Sequence, residues 1–201
     1  MNARQTWEPA GTALQVRRAL PADRAILADF LANMDRDGLY ERHFAHGEAP
    51  NLALLDRLEK TGSNNRAVIL AFRADGSVIG HAEYVAEAAA AEFALMVLPT
   101  WRDCGVGGAL LDCLLEAAAG EGQLEMHGLI QATNTRAISL ARKRGFRIQA
   151  GDDRTTVIVS RSLVQQPAEN LSLPWPGATI VLPEGIEHDP DRTPLHRSPI
   201  P

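Results

Sequence analysis

The segment that most constrains this chain is a glycine turn between an extended stretch and an apolar helical pattern, VLPTWRDCGVGGALLDCLLEAA at residues 97–118. Gly105, Gly107 and Gly108 leave backbone N–H groups unshielded where a helix is expected to begin. The first turn of a helix has amide donors without intrahelical partners and lies at the positive end of the helix dipole. The segment therefore predicts a strand, a turn and a helix with an anion site at the turn. A turn that only lets the helix pack closely on a sheet is the alternative.

Two well-known nucleotide-binding motifs can be compared with this turn. Gly105-x-Gly107 precedes an apolar helix, and Glu125 follows at about the distance where a dinucleotide-binding fold places its ribose-binding acid. Leu110 nevertheless occupies the third glycine position, a proline-containing loop precedes the glycines, and the earlier strands follow one another in hairpin order. Because no Gly-Lys-Ser/Thr follows, a Walker A loop is excluded.

Hydrophobic periodicity predicts the element order β, α, α, β, β, β, α, β, α, β, β. Asp75-Gly76 predicts a hairpin turn, and Gly145 predicts a helix end. Strands are expected at 14–20, 66–72, 77–87, 92–98, 123–131, 146–150 and 155–163; helices are expected from Pro21, at 51–60, from the glycine turn to about residue 119, and at 134–144. The first helix has an apolar stripe that is expected to be buried, formed by Ile26, Leu27, Phe30, Leu31 and Met34.

The chain of 201 residues, 45% of them apolar, is long enough for one substantial core. Residues 1–13 have no periodic pattern and are interpreted as a flexible lead-in, and residues 14–163 as one domain. Residues 164–201 contain eight of the 12 prolines and form a proline-rich C-terminal arm. Trp175 and the apolar residues 180–182 predict partial docking, on the same chain or across a homodimer.

Composition also excludes several classes of function. The net charge of −5 argues against a nucleic-acid partner, because neutralising phosphates requires clustered Lys and Arg. No signal peptide or membrane-length apolar run is present, which favours a cytoplasmic protein without a membrane partner. Cys104 and Cys113 are expected to be reduced thiols, with a reactive Cys104 at the helix start as the alternative. His43 and His46 lack a third ligand nearby, so no metal site is expected.

Two motifs in order carry a resemblance to a known family. The pattern Arg102-x-x-Gly105-x-Gly107 follows a strand ending in VLP, and QATNTRAISLARKRGFRI later supplies Asn134 at a helix start and Gly145-Phe146 at its end. These residues resemble the GNAT superfamily of acetyl-CoA-dependent N-acetyltransferases over roughly residues 14–163. DGLYERHFAHGEAPNLALLDRLEK and AEFALMV further resemble bacterial protein-lysine acetyltransferases that modify acyl-CoA synthetases.

The resemblance implies a mixed α/β (α+β) fold. Its sheet is expected to be mostly antiparallel, with six to seven strands splayed at the cofactor cleft and about four flanking helices. It also implies acetyl-CoA as co-substrate, with backbone groups of Met96, Val97 and Leu98 pairing with pantetheine. The diphosphate would be held by the amides of Arg102, Asp103, Cys104, Gly105, Val106, Gly107, Gly108 and Ala109.

Some positions depart from the family pattern or allow two interpretations. Asp103 and Cys104 place a negative charge near the expected diphosphate, which Arg102 is expected to offset in part. Asn134 matches a cofactor-contacting position and is also a good helix N-cap, and both roles are compatible. Phe146 is expected in the core rather than against a ligand.

Acetyl transfer to an amine requires a base, because an alkylamine is mostly protonated at neutral pH. Glu92 matches the family's glutamate base, with an exposed strand-end acid as the alternative interpretation. Glu83, His81 and His127 are alternative bases, each of which can equally be an ordinary strand residue. The family often has a tyrosine that protonates the thiolate; Ala141 stands there, so water or another group must supply that proton.

The function implied is transfer of an acetyl group from acetyl-CoA to a primary amine by direct attack in a ternary complex. The acceptor is a protein lysine or a small-molecule amine. A CoA-sensing or regulatory interaction module on the same fold is the alternative.

Overall fold

The computed structural model describes residues 13–35, Leu55, residues 65–164 and the backbone of residues 178–181. Several sequence predictions lie outside these residues. They are the lead-in, most of the helix at 51–60, the His43 and His46 pair, and the surroundings of Trp175.

The described chain contains eight strands and three α-helices. The strands are β1 Ala13–Arg18, β2 Arg66–Phe72, β3 Val78–Glu87, β4 Ala90–Val97, β5 Glu125–Gln131, β6 Arg147–Ala150, β7 Thr156–Ser162 and β8 Ala178–Val181. The helices are α1 Arg24–Ala32, α2 Val106–Gly120 and α3 Thr135–Lys143, with single 3-10 turns at Pro21–Asp23 and Pro99–Trp101. The predicted order of elements is confirmed over these residues, and β8 adds a strand from the C-terminal segment.

All eight strands form one sheet in the order β6-β7-β5-β4-β3-β2-β1-β8. Every neighbouring pair is antiparallel except β4 and β5, which are parallel. The expected mixed fold with a mostly antiparallel sheet is confirmed. β8 pairs with β1 from Ala13↔Val181 to Val16↔Ala178, so the C-terminal segment forms one edge of the sheet.

The parallel pair β4–β5 separates partway along its length. The two strands pair from Ala90↔Glu125 to Glu92↔His127, whereas β4 continues to Val97 and β5 to Gln131. Beyond the pair Glu92↔His127 the described strands diverge, and this pair is the last rung of their ladder. The divergence forms the splayed cleft that the fold class predicts.

Both faces of the sheet are covered near its centre. β2 is apolar from Ala67 to Phe72 because alternate residues enter opposite cores, which is the pattern of a strand buried on both faces. One core contains α2, with Leu110 and Leu114, and the other contains α1, with Leu27 and Phe30. Ile26 is 36% exposed, so its predicted burial is wrong; it falls beside the stripe that faces the sheet.

A hairpin turn and a helix end occur where the sequence predicts them. Gly76 and Gly145 both have positive φ, at the hairpin turn and after α3 respectively. Tyr84 is fully buried and its hydroxyl donates to Glu121 at the end of α2, where Arg18 also binds. This contact ties the end of α2 to β1 and β3. No helix among the described residues is long and apolar enough to cross a membrane.

Candidate active site

The glycine turn connects the end of β4 to the start of α2. Gly105 is the residue before the helix and has a φ of 89°, a left-handed conformation that favours glycine. The first helical bond runs from the Ala109 N–H to the Gly105 carbonyl at 3.0 Å. The amides of Val106, Gly107 and Gly108 precede that bond, so they are the donors that a helix leaves for an anion.

The expected set of amide donors from Arg102 to Ala109 is too wide at both ends. The Arg102 N–H donates to the Pro99 carbonyl at 3.3 Å, which closes the 3-10 turn. The Ala109 N–H is used by Gly105. These two amides are therefore bonded within the chain.

The Arg102 side chain does not offset Asp103, so that sequence prediction is wrong. Its guanidinium donates to both carboxylate oxygens of Asp35, at 2.9 and 2.6 Å, and its Nε donates to the Val97 carbonyl at 3.2 Å. The Arg102 and Asp35 side chains are only 18% and 17% exposed. The ion pair fixes the glycine turn to the chain that follows α1, because a planar guanidinium matches a carboxylate at two points.

Asp103 is paired with a different arginine. Its carboxylate accepts a hydrogen bond from Arg136 Nε at 3.2 Å, and both side chains are about half exposed. Its φ of 63° is uncommon outside glycine, although aspartate tolerates it better than most residues. The negative charge predicted beside the anion site is therefore present, with a cation from α3 next to it.

The last glycine of the turn faces a side chain from the end of α3 rather than the sheet. A Cβ at Gly108 would collide with the Arg144 guanidinium. Arg144 in turn holds Asp112 of α2 at 2.8 and 3.0 Å, which joins the end of α3 to α2. The missing side chain at Gly108 thus leaves room for the Arg144 guanidinium, while the amide of the same residue stays a candidate anion donor.

Backbone direction limits which groups of β4 face the cleft. The Leu98 N–H donates to the Ile79 carbonyl at 3.0 Å, so it points toward β3 and away from the cleft. The Leu98 carbonyl accepts from the Trp101 N–H at 2.9 Å, so the expectation that backbone groups of Leu98 pair with a ligand is wrong. Because backbone groups alternate along a strand, those of Met96 also point toward β3, and the same expectation for Met96 is wrong. The Val97 N–H points into the cleft.

The two sequence predictions for α3 concern Asn134 and Phe146. The Asn134 side chain accepts a hydrogen bond from the Ala137 N–H at 2.9 Å, which confirms its role as N-cap. Its cofactor contact stays a prediction. Phe146 is 5% exposed and its ring lies 5.3 Å from that of Phe93, so its predicted place in the core is confirmed. Ala141 is 1% exposed and also belongs to the core.

One row of residues crosses the sheet at the last rung of β4 and β5. Its members are directly paired from strand to strand, in the order Arg66, Val85, Glu92, His127, Ser160, Arg147. Paired residues point to the same face of a sheet. The neighbouring residues Ala91, Met126 and Val159 enter the core with α2, so the row faces the opposite side. Glu92 is exposed there and His127 is partly buried.

The other two candidate bases lie deeper on the same face. Glu83 pairs with Ala94 and is 2% exposed, and His81 pairs with Met96 and is fully buried. Glu92 and His127 are therefore the two candidate bases whose side chains are accessible to solvent. The sequence placed all four residues on strands, but it held no signal for the pairing of Asp35 with Arg102 or of Asp103 with Arg136.

Both cysteines are free thiols with buried side chains. Cys104 is 6% exposed, which argues against the reactive alternative. Burial raises the pKa of the Cys113 thiol to about 11, and Glu116 and Asp112 add to the shift. No group of three or more His, Cys, Asp or Glu side chains suited to a metal occurs among the residues described.

Several solved structures share this fold. The GNAT domain of PAT from S. lividans aligns with a TM-score of 0.69 at 19% identity, covering 80% of this chain and 99% of that one. PaiA N-acetyltransferase from Thermoplasma acidophilum, in complex with coenzyme A, aligns with a TM-score of 0.61 at 21% identity, covering 74% and 98%. A GNAT superfamily phosphinothricin acetyltransferase from Sinorhizobium meliloti, in complex with acetyl-CoA, aligns with a TM-score of 0.60 at 23% identity, covering 79% and 95%.

These likenesses establish a shared fold. Membership follows from the sequence match of residues 27–146 to the acetyltransferase (GNAT) family, which spans more than half of the 201 residues. The match includes most of α1, the splayed strands, the glycine turn and the chain to Phe146. This chain belongs to the acetyltransferase (GNAT) family.

Proposed function

We propose that this protein transfers the acetyl group of acetyl-CoA to a primary amine, by direct attack in a ternary complex. The observation that carries the proposal is that the glycine turn and the β4–β5 cleft adjoin each other. The glycine turn before α2, with its candidate anion donors, lies at the open end of the β4–β5 cleft. A ligand with a diphosphate at one end and an extended amide-containing arm at the other fits both. The solved relatives that contain coenzyme A and acetyl-CoA support this class of ligand.

The amides of Val106, Gly107 and Gly108 would bind the diphosphate, with Asn134 close by at the start of α3. From Val97 to Glu92 the cleft edge of β4 is about 17 Å long at the usual strand rise. The Val97 N–H would pair with the pantetheine arm along this edge. The thioester would then lie near the last rung, where Glu92 and His127 face each other.

Glu92 would be the general base. Most of an alkylamine is protonated at neutral pH, so a carboxylate that takes its proton produces the nucleophile. Glu92 is exposed on the face of the sheet opposite α2, where an acceptor can reach it. Glu125, also exposed on that face, adds negative charge that attracts a cationic amine.

The acceptor would be a protein lysine or a small-molecule amine. The likeness to the GNAT domain of a PAT supports the first, and the likeness to a phosphinothricin acetyltransferase supports the second. The catalytic domain would span residues 14–163, with the proline-rich segment as an arm that supplies β8. We place the protein in the cytoplasm, where acetyl-CoA is available.

One observation favours a second candidate, a CoA-sensing module. Ala141, buried in the core, stands where the family often has the tyrosine that protonates the thiolate, so a group used in turnover is missing while the cofactor turn is retained. Such a module would bind coenzyme A and acetyl-CoA without turnover.

Two measurements test the proposal. A ligand present at 100 times its dissociation constant stabilises a protein by about 2.7 kcal/mol, so acetyl-CoA should raise the melting temperature measurably. Stabilisation by NAD and none by acetyl-CoA would contradict the proposal. Thiol release is then followed with a panel of polyamines, amino acids and lysine peptides. Binding of acetyl-CoA without thiol release from any of them would favour the sensing module.

A further inference from the structure

The row at the last rung contains a second proton carrier beside the proposed base. Acetyl transfer leaves a thiolate that must gain a proton. The residue at position 141 is alanine, 1% exposed in the core, and has no proton to give. We propose that His127 is the general acid that protonates the departing thiolate of coenzyme A. The inference rests on the acetyl transfer proposed above.

The register of the strands puts His127 where the thiolate would form. Glu92↔His127 is the last pair before β4 and β5 diverge, so these two side chains flank the narrow end of the cleft. A ligand whose diphosphate is held at the glycine turn reaches this end with its other terminus. His127 lies on β5 and Glu92 on β4, so the base and the acid approach the thioester from opposite strands.

The surroundings of His127 suit a proton carrier. Glu92 faces it from β4, Ser160 faces it from β7, and Glu125 lies two residues away on the same face of β5. Arg147 follows Ser160 in the row. The imidazole is partly buried and makes no hydrogen bond to these side chains within the described chain. An imidazole changes protonation near neutral pH, so it can give and regain a proton during turnover.

His81, the other described histidine on this face, is less suited to the role. It is fully buried, and it pairs with Met96, which lies four residues after Glu92 on β4. A histidine in that position has no direct route to water. His127, at the edge of the covered region, can exchange protons with solvent.

The protons balance with one base and one acid. Glu92 takes a proton from the ammonium group of the acceptor, and the neutral nitrogen attacks the thioester carbon. The C–S bond breaks as the His127 imidazolium gives its proton to sulfur, which yields the free thiol. The neutral imidazole takes the second proton from nitrogen as the amide forms, and Glu92 releases its proton to water. The net result is one amide, one thiol and one proton.

The test compares the unaltered protein with His127→Ala, His127→Gln and Ser160→Ala. Ser160 is the direct cross-strand neighbour of His127, and its hydroxyl neither gains nor loses a proton near neutral pH, so its variant is the matched control. Thiol release is measured from pH 6 to about 10 with an amine acceptor, and acetyl-CoA binding is measured by thermal shift.

Both His127 variants should bind acetyl-CoA like the unaltered protein and lose about 100-fold in kcat, the lower end of the usual effect, because a thiolate is a good leaving group. The unaltered protein should lose kcat in alkali as the imidazolium disappears, and the variants should lack that descending limb. Added imidazole should restore part of the activity of His127→Ala. Ser160→Ala should keep the full profile.

The inference is overturned if His127→Ala keeps its kcat and its descending limb. It is also overturned if activity falls only together with stability or acetyl-CoA binding and imidazole restores none of it, since that outcome marks a structural role. The failure of the proposed function is distinguishable, because the unaltered protein would then release no thiol with any acceptor.

Discussion

The Asp103 carboxylate accepts a hydrogen bond from Arg136 Nε at 3.2 Å, across the gap between the glycine turn and the start of α3. Arg136 is the second residue of α3, close to the amides proposed to bind a diphosphate. An anion arriving there would compete with Asp103 for this arginine. The pair is about half exposed, so its own contribution to stability is small and salt-dependent. Its main effect is expected on cofactor affinity.

Asp103→Asn should bind acetyl-CoA more tightly than the unaltered protein. The substitution removes a negative charge next to the diphosphate, an effect of about 1 kcal/mol for charges about 4 Å apart in water, or roughly fivefold in affinity. Asparagine also tolerates the left-handed backbone at this position. Titration calorimetry at low and high salt checks the prediction, and the gain should shrink at high salt.

Arg136→Gln is the matched control, because it removes the other half of the same pair. It should weaken acetyl-CoA binding, since the cation that would join the diphosphate is lost. If both variants changed affinity in the same direction, the competition between Asp103 and the diphosphate would be refuted.

Glu92→Gln should lower turnover by about 100-fold at neutral pH and by much less in alkali. The reason is that an amine deprotonates unaided as pH rises, so the base becomes dispensable. Thiol release across pH, with acceptor amines of different basicity, measures the effect. Asp152→Asn, which removes an exposed acid in the turn between β6 and β7, is the control and should keep the normal profile. Equal losses at every pH would remove Glu92 as the base.

Gly128→Ala should lower the free energy of unfolding by about 1–3 kcal/mol, the usual cost of overpacking. A Cβ at residue 128 would lie 2.8 Å from the Phe93 ring, which already packs against Phe146. Urea unfolding checks the prediction. Gly120→Ala is the control: a Cβ there meets nothing within 4 Å, and alanine favours a helix, so stability should stay equal or rise slightly.

Asp23 makes the stability of the N-terminal part depend on pH. The guanidinium of Arg17 donates to both of its oxygens at 2.7 Å, and this holds the pKa of the carboxyl below its usual value. A carboxyl with a lowered folded pKa stabilises the fold above its unfolded pKa of about 4, and the stabilisation is lost as pH falls through the folded value.

Asp23→Asn should therefore lower the free energy of unfolding at neutral pH by about 1–3 kcal/mol. The difference from the unaltered protein should narrow as pH falls below the unfolded pKa of about 4 and through the lowered folded pKa, because Asp23 then loses its charge. Urea unfolding at several pH values measures this, with the exposed Asp152→Asn as control. A difference that stayed constant down to acid pH would contradict the assignment to charge.

Much of the fold was predictable because its signals are local. Gly76 and Gly145 have the backbone conformations that their neighbours predict, and Asn134 caps α3 as expected. The prediction for Arg102 failed for a reason that distance along the chain explains. Asp35, its actual partner, is 67 residues away along the chain. Residues of opposite charge lie closer in sequence to both Arg102 and Asp35. Separation along the chain is the only distance that a sequence gives, so it cannot show which distant residues form an ion pair.

The sequence by itself determined the order of strands and helices, the glycine turn before α2 and the family, because hydrophobic period and turn chemistry act over a few neighbouring residues. Only the tertiary structure decided that Glu92 and His127 face each other at the last rung. Strand register depends on how both faces of the whole sheet pack, and a shift by one residue would move each side chain to the opposite face. The same packing left Ala141 in the core and His127 at the edge of the cleft.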